Sequence, residues 1–201
     1  FSKFSKFAPK TISSVFARNI AVGQKIPDAP LTILEYKNGA FEKSTANAQT
    51  LFGSGTNVLV GFPGFFPFFF ISLIQVLGAF TPACTKTHIP EYIEKSKEVK
   101  EGGVGKVYAL AVNDPFVLQA FAEKLEGSDK VTYIADFNGD FVKKLDVTAD
   151  LSAAGLGVRS RRFSMVIKDG EVVEFNDEKG PQMTDLSRVV NVLNQLKNKK
   201  K

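Results

Sequence analysis

The chain has 201 residues, of which 44% are hydrophobic and 23% charged, so it is long enough for one domain with a core of ordinary size. Its formal net charge of +5 comes from basic residues near the two ends, not from a basic stripe interleaved with aromatics, which argues against nucleic-acid binding. A single cysteine excludes an internal disulfide and favours a reducing, intracellular compartment, and a single histidine excludes a multi-histidine metal site.

The first segment in chain order, residues 1–20, contains Lys, Arg, Ser and Phe but no acidic residue. That composition is typical of a mitochondrial transit peptide. The alternative is an unstructured N-terminus without a targeting role, and the protein would then be cytoplasmic. We expect a targeting segment at 1–20, a location in the mitochondrial matrix, and one folded domain over residues 21–201.

Predicted strands and helices alternate along the rest of the chain. Apolar and β-branched runs predict strands at 31–34, 57–62, 107–112, 131–135, 163–168 and 171–175. Amphipathic patterns predict helices at 85–101, 114–125 and 185–196, the second of them capped by Asn113 or Asp114 with Pro115 in its first turn. Asn-Gly at 38–39 and Asp-Gly at 169–170 predict turns. Because parallel strands need helical crossovers, this order indicates an α/β domain with a mixed central sheet flanked by helices.

A long uncharged stretch, residues 58–80, interrupts this pattern, and its centre reads FFPFFFISLIQVL. One interpretation is a transmembrane helix, although prolines and glycines weaken a straight one. A second is a buried strand followed by a genuine apolar loop. The third, an insertion at about 65–78, is favoured because removing those residues joins NVLVGFPG to AFTPACTKTHIPEYIEK, a strand and tight turn leading to a cysteine at a helix start. A lineage-specific loop and a translated intron are equally consistent with such an insert.

Cys84 directly precedes the first predicted helix. Free backbone N–H groups and the positive end of the helix dipole favour thiolate over thiol at such a position, and a thiolate attacks peroxide oxygens to give a sulfenic acid. Thr81 offers a hydroxyl three residues earlier, and the cluster Arg159, Arg161 and Arg162 offers a guanidinium to stabilise negative charge. Each feature also has a simpler explanation: an inert buried cysteine, a helix cap and a solvated turn.

The segment TPACTKTHIPEYIEK, followed downstream by GLGVRSRRFSMVIKDGEV, closely resembles the peroxiredoxins, specifically their peroxiredoxin-5 or type II branch. The resemblance covers about residues 20–198 apart from the insert. It implies a single-domain thioredoxin-like fold and a peroxidase that reduces hydrogen peroxide and alkyl hydroperoxides, with no cofactor and no metal. It also implies that Cys84 is the peroxidatic cysteine, Thr81 the motif threonine and Arg162 the catalytic arginine.

Two features of this chain depart from related sequences. The family's motif proline stands seven residues before the cysteine, where this chain has Leu77, and its natural counterpart is Pro63, displaced by the insert. Many members of the branch carry a second, resolving cysteine, which this chain lacks. The sulfenic acid would then be reduced by an external thiol, either glutaredoxin with glutathione or thioredoxin, in redox homeostasis and oxidative-stress defence. Related proteins are often dimers, so a homodimer is one assembly that the resemblance allows, although no residue here identifies an interface.

The sequence leaves two choices open. His88 lies one helical turn after Cys84, where a charged imidazole would tune the thiolate, but a histidine satisfied by its neighbours is an equally good interpretation. The leading function is a one-cysteine peroxidase. The alternatives are a peroxide-sensing or binding protein whose turnover is impaired by the insert, and a member tethered to a membrane through residues 58–80.

We expect the insert at 65–78 to destabilise the loop before Cys84, because an exposed segment of this apolar composition favours aggregation. A variant that lacks 65–78 should unfold at a higher temperature and reduce peroxide faster than the full chain. Thermal unfolding and stopped-flow peroxide consumption of the two proteins check this prediction. A deletion variant that is better in neither measurement would show that the insert is harmless.

Overall fold

The computed structural model describes residues 20–63, 80–81 and 83–199. The insert and, apart from Ile20, the predicted targeting segment lie outside these residues. The strands are β1 (Pro30–Lys37), β2 (Ala40–Asn47), β3 (Thr56–Gly61), β4 (Lys106–Ala111), β5 (Thr132–Ala135), β6 (Thr148–Asp150), β7 (Val158–Ser160), β8 (Phe163–Lys168) and β9 (Glu171–Asp177). The α-helices are α1 (Ala48–Phe52), α2 (Ile89–Glu94), α3 (Ser96–Glu101), α4 (Pro115–Lys124), α5 (Asp140–Lys144) and α6 (Val189–Asn198).

Seven strands form one mixed sheet in the order β2-β1-β5-β4-β3-β8-β9. The three central strands β5, β4 and β3 are parallel, and every pair outside them is antiparallel. Strands β6 and β7 pair separately as a two-stranded ribbon. The predicted α/β architecture with a mixed central sheet is therefore confirmed.

The central strands are buried on both faces of the sheet, as their unbroken apolar runs require. In β3, the side chains of Val58 and Val60 join the core under α2, α3, α4 and α6. The side chain of Leu59 lies on the opposite face, in the core under α1 and α5. Cys84 belongs to the first of these two cores, so the site around it is backed by the larger helical layer.

Two tight hairpins lie where the turn residues predict them. Asn38 and Gly39 between β1 and β2 have positive φ angles of 52° and 89°, and Asp169 and Gly170 between β8 and β9 have 50° and 79°. Positive φ at both central residues matches the twist of the flanking strands, which explains the preference for Asn-Gly and Asp-Gly. Both turn predictions are confirmed.

The helix after Cys84 is irregular, and the single helix predicted over 85–101 is wrong in its geometry. It begins with a π-helical turn, Cys84–His88, continues as α2, and breaks at Lys95 before α3. Pro90 explains the start, because it has no N–H to donate and its ring would crowd the carbonyl four residues earlier in a regular helix. The wider π turn, closed by the Ile89 N–H on the Cys84 carbonyl, relieves this crowding.

Of the other two predicted helices, α4 begins where the sequence predicts it and α6 begins four residues later than predicted. Asp114 caps α4 by accepting hydrogen bonds from the backbone N–H groups of Phe116 and Val117, with Pro115 in the first turn, as predicted. The last helix begins at Val189, not at 185 as predicted. The preceding residues do not join the helix because Ser187 is held by Glu178. Its backbone N–H and its hydroxyl donate to Oε1 of Glu178, at 3.0 and 2.7 Å.

The first residues of the uncharged stretch belong to the sheet, and most of the others lie outside the described residues. Residues 58–61 lie in β3, and Phe62 and Pro63 are buried behind it. None of the helices in the described ranges is long and apolar enough to cross a membrane. Residues 64–79, which form most of the proposed span, lie outside those ranges.

Candidate active site

Sheet pairing brings two distant parts of the chain together. Strand β8 runs antiparallel to β3, and Gly61 at the end of β3 pairs with Phe163 at the start of β8. The approach is close, because a Cβ at Gly61 would lie only 2.1 Å from Cε1 of the Phe163 ring. Arg162 directly precedes Phe163, so it lies beside the last residue of β3, at the end of the sheet where that strand stops.

The guanidinium of Arg162 faces the sulfur of Cys84. Its Nη1 and Nη2 atoms each lie 3.5 Å from Sγ, and both side chains are fully buried. A planar fork of two N–H donors stabilises negative charge on the sulfur, and water does not compete in a buried site. The structure thus brings together the cysteine and the arginine to which the family resemblance assigns a role.

Backbone carbonyls fix the orientation of this guanidinium. Nε of Arg162 donates to the carbonyls of Pro181 and Gln182, at 3.2 and 3.0 Å, and Nη2 donates to the Pro181 carbonyl at 3.1 Å. The remaining partners of the side chain within the described residues are the Cys84 sulfur and an imidazole nitrogen, and none is a carboxylate. Because a buried charge without a counter-ion is costly, a Cys84 thiolate is the natural anionic partner of Arg162.

The loop that supplies these carbonyls is held by Glu178. Its Oε1 accepts hydrogen bonds from the Ser187 backbone N–H and hydroxyl, and its Oε2 accepts one from the Thr184 hydroxyl at 2.6 Å. Burial raises the pKa of Glu178, but the hydrogen bonds from Thr184 and Ser187 outweigh it and hold the pKa below its usual value. Arg188 ties the same loop to α2 through Glu91, with Nη2 2.6 Å from Oε1.

His88 lies between Arg162 and this loop. Its Nδ1 is 3.0 Å from Nη1 of Arg162, and its Nε2 is 3.3 Å from the carbonyl oxygen of Ser187. Burial, and then the positive charge of Arg162, lower the pKa of His88 to about 3, so the ring is neutral at physiological pH. A charged imidazole tuning the thiolate is therefore the wrong interpretation of the sequence, and a histidine satisfied by its neighbours is the right one.

Thr81 lies just before the Cys84 turn and is almost fully buried. Its carbonyl accepts hydrogen bonds from the backbone N–H and the hydroxyl of Thr85, at 2.8 and 2.7 Å. Its own hydroxyl has no hydrogen-bond partner among the residues that the structure describes. A buried hydroxyl in this state is costly, which marks it as a group suited to meet a polar ligand.

The other two arginines of the cluster point elsewhere. Arg159 donates to the carbonyls of Leu156 and Val112, and Arg161 forms an ion pair with Asp177 at 2.9 Å. Both brace the loops around the β6–β7 ribbon and the start of β8. In the sequence alone, the three are neighbours, and only the family resemblance singled out Arg162 from the other two.

The described residues hold no group of three or more His, Cys, Asp and Glu side chains arranged to bind a metal ion. Sequence reasoning identified His88 but missed other parts of the site, namely Glu178 and the carbonyls of the 181–187 loop. The spacing of His88 one turn after Cys84 was the only available signal, since the loop lies about a hundred residues downstream.

Comparison with known proteins identifies the family of this chain. The sequence model of the Redoxin family matches residues 71–193. Peroxiredoxin-2B of Arabidopsis thaliana is 34% identical over 165 residues, covering 82% of this chain and 91% of that protein. Mitochondrial peroxiredoxin-2F of Oryza sativa subsp. japonica is 40% identical over 119 residues, covering 59% and 60% of the two chains.

A solved structure extends the agreement to three dimensions. The crystal structure of reduced Prx3 from Vibrio vulnificus in complex with H2O2 superimposes with a TM-score of 0.72 at 29% identity, covering 88% of this chain and 99% of that one. The fold, the match to the Redoxin family and the identity over most of the chain point to one conclusion. The chain belongs to the peroxiredoxin family, in its type II, peroxiredoxin-5-like branch, and is a thiol-dependent peroxidase.

Proposed function

We propose that the Cys84 thiolate is the nucleophile of this peroxidase. It attacks the terminal oxygen of a hydroperoxide ROOH; the S–O bond forms while the O–O bond breaks. The sulfur is oxidised to the sulfenic acid, the peroxide is reduced, and the leaving RO⁻ takes up one proton to become ROH. The observation that carries this proposal is the buried fork of Arg162, whose two terminal nitrogens each lie 3.5 Å from Sγ.

Arg162 and Thr81 have distinct roles in this step. The guanidinium stabilises the thiolate before attack and the charge that develops on the peroxide oxygens during it. The Thr81 hydroxyl is assigned to the incoming peroxide, with which it would form a hydrogen bond. Its burial without a partner among the described residues supports this role, because the bound peroxide would supply that partner.

The burial of the site favours small substrates, namely hydrogen peroxide and small alkyl hydroperoxides. Cys84, His88 and Arg162 are each 0% exposed, so any hydroperoxide reaches Sγ only when surrounding residues move, and a small one requires the smallest movement. The Vibrio vulnificus relative was solved with H2O2, which agrees with this substrate class.

The reductant is an external thiol, glutathione with glutaredoxin or thioredoxin, because the chain has no second cysteine. A mixed disulfide with such a thiol requires the Cys84–His88 turn to open, since Cys84 is fully buried. The acid-free segment at 1–20 and the mitochondrial relative from Oryza sativa support a mitochondrial location.

Stopped-flow oxidation of the reduced protein tests the proposed function. Without added thiol we expect one equivalent of hydrogen peroxide to be consumed per chain, because the single sulfenic acid has no internal partner. Glutathione with glutaredoxin, or thioredoxin with its reductase, should then restore multiple turnover.

Cys84→Ser is the matched control and should consume no peroxide. A wild-type rate constant equal to that of free cysteine would contradict the peroxidase assignment of Cys84. A fast first turnover that neither thiol system can repeat would instead favour the peroxide-sensing alternative.

A further inference from the structure

An ion pair joins two distant parts of the chain that meet around Cys84. One part is the Cys84–His88 turn with α2, and the other is the 181–187 loop, which Arg188 follows directly. Nε of Arg188 donates to both oxygens of the Glu91 carboxylate at 3.1 Å, and Nη2 donates to Oε1 at 2.6 Å. Because guanidinium and carboxylate are both planar, several hydrogen bonds between them hold the pair in one orientation.

This ion pair differs from the buried contacts between the same two parts. The buried side chains of His88 and Tyr92 both reach the carbonyl of Ser187. The Arg188 side chain is 37% exposed and that of Glu91 16%, and within the described residues their hydrogen bonds go to neither Sγ nor Arg162. Loss of the pair should therefore loosen the two parts without changing the groups that react with peroxide.

Access to the sulfur depends on how far these two parts separate. Cys84 is 0% exposed, so every reactant needs the residues around it to move, and a larger reactant needs a larger movement. Hydrogen peroxide is the smallest hydroperoxide, whereas a thiol reductant must bring its own sulfur and substituents to Sγ. We propose that the Glu91–Arg188 pair is a specificity-determining contact, which slows the reactions of Cys84 with large reactants and hardly affects its reaction with hydrogen peroxide.

The inference rests on the proposed function, because the two reactions that the pair separates both occur at Cys84. In the first, the peroxide oxidises the thiolate to the sulfenic acid. In the second, an external thiolate attacks the sulfenic sulfur; the S–S bond forms, the S–O bond breaks, and the leaving hydroxide takes up one proton to become water. The sulfenic sulfur is reduced and the thiol sulfur is oxidised. The second reaction places a whole thiol molecule beside Sγ, so it requires the wider opening.

Glu91→Gln tests the inference, with Glu98→Gln as the matched control. Both changes remove one negative charge from the helices after Cys84, but Glu98 pairs with Lys95 of the same segment, at 2.7 Å, so its loss leaves the contact with Arg188 intact. In Glu91→Gln, reduction of the sulfenic acid by dithiothreitol or glutathione should be about 3- to 5-fold faster. Oxidation by cumene hydroperoxide, which is bulky, should gain similarly. Oxidation by hydrogen peroxide should change less than about 2-fold.

Two further comparisons show whether the ion pair itself is responsible. Arg188→Gln removes the pair from the other side and should give the same gain, and the double variant should be no faster than either single one. Raising NaCl from about 0.1 to about 1 M shortens the Debye length from about 10 to about 3 Å, so the ratio of the Glu91→Gln rate to the wild-type rate should fall toward one.

A labelling measurement tests access to the sulfur without peroxide. The chain has one cysteine, so the reaction of the reduced protein with dithiobis(nitrobenzoate) reports on Cys84 alone. The thiolate attacks this aromatic disulfide, a mixed disulfide forms, and one nitrothiobenzoate anion leaves and is measured by its absorbance. Because the reagent is large and Cys84 is buried, labelling should be about 3- to 5-fold faster in Glu91→Gln and unchanged in Glu98→Gln.

Faster thiol reduction and faster labelling in both Glu91→Gln and Arg188→Gln, with nearly unchanged oxidation by hydrogen peroxide, would support the inference. Unchanged labelling in Glu91→Gln, or an equal gain in Glu98→Gln or with hydrogen peroxide, would overturn it, because the pair would then have no effect or only a general effect on stability. If the wild-type protein consumed no peroxide while labelling still rose in Glu91→Gln, the proposed function would fail and the control of access by the ion pair would stand.

Discussion

Replacing Arg162 with alanine is expected to slow the oxidation of Cys84 by hydrogen peroxide by about three orders of magnitude. The change removes both N–H donors that face Sγ at 3.5 Å, and with them the positive charge that offsets the thiolate. Replacing Arg159 should leave the rate constant nearly unchanged, because its side chain donates to the carbonyls of Leu156 and Val112 and does not contact the sulfur. Stopped-flow measurements on the two variants make the comparison.

Folding must be separated from chemistry in this comparison, because Arg162→Ala leaves the Pro181 and Gln182 carbonyls without their donors. Arg162→Lys keeps the charge but cannot form the planar fork, so its rate constant should fall between those of the wild-type protein and Arg162→Ala. Circular dichroism establishes that each variant is folded. Equal rates in Arg162→Ala and Arg159→Ala would show that the wrong arginine has been assigned to the site.

The site shows which functional residues can be identified from the sequence and which require the structure. Cys84 and Thr81 could be identified from the sequence because a cysteine and a threonine in a local motif at a helix start have a chemical meaning of their own. Arg162 could be chosen from its two neighbours only by family resemblance, since the direction of each side chain depends on the pairing of β8 with β3. The role of His88 depends on Ser187, which is 99 residues away, and no local pattern contains that information.

The fold was predictable where burial is strong. The strands at 57–62, 107–112 and 163–168 are buried on both faces, and their apolar runs locate β3, β4 and β8 to within a residue. Strand β2 was missed because it lies at the sheet edge and most of its side chains are exposed, so its sequence shows no apolar alternation. Helices α1 and α5 have five residues each, too few for a helical period to be recognised.

Replacing Gly61 with alanine should lower the free energy of unfolding by about 2 kcal/mol or more. The new Cβ would lie 2.1 Å from Cε1 and 2.6 Å from Cδ1 of Phe163, so the ring must move. That ring is fully buried and packs edge to face on Phe175 at 6.0 Å, which leaves it no free direction. For a chain of this length the change corresponds to a fall in Tm of about 4 to 8 °C.

Gly105→Ala is the matched control, because a Cβ there would meet only the Thr56 carbonyl at an ordinary 3.6 Å, and its stability should be unchanged or slightly increased. In the double variant Gly61→Ala with Phe163→Leu, the loss in free energy of unfolding should be smaller than the sum of the losses in the two single variants. The smaller side chain at 163 makes room for the new methyl group. Because Phe163 follows Arg162 directly, displacement of the ring should also move the guanidinium and slow the oxidation of Cys84. Lost stability with an unchanged oxidation rate would mean that the Pro181 and Gln182 carbonyls and His88, and not the packing of Phe163, determine where the Arg162 guanidinium lies.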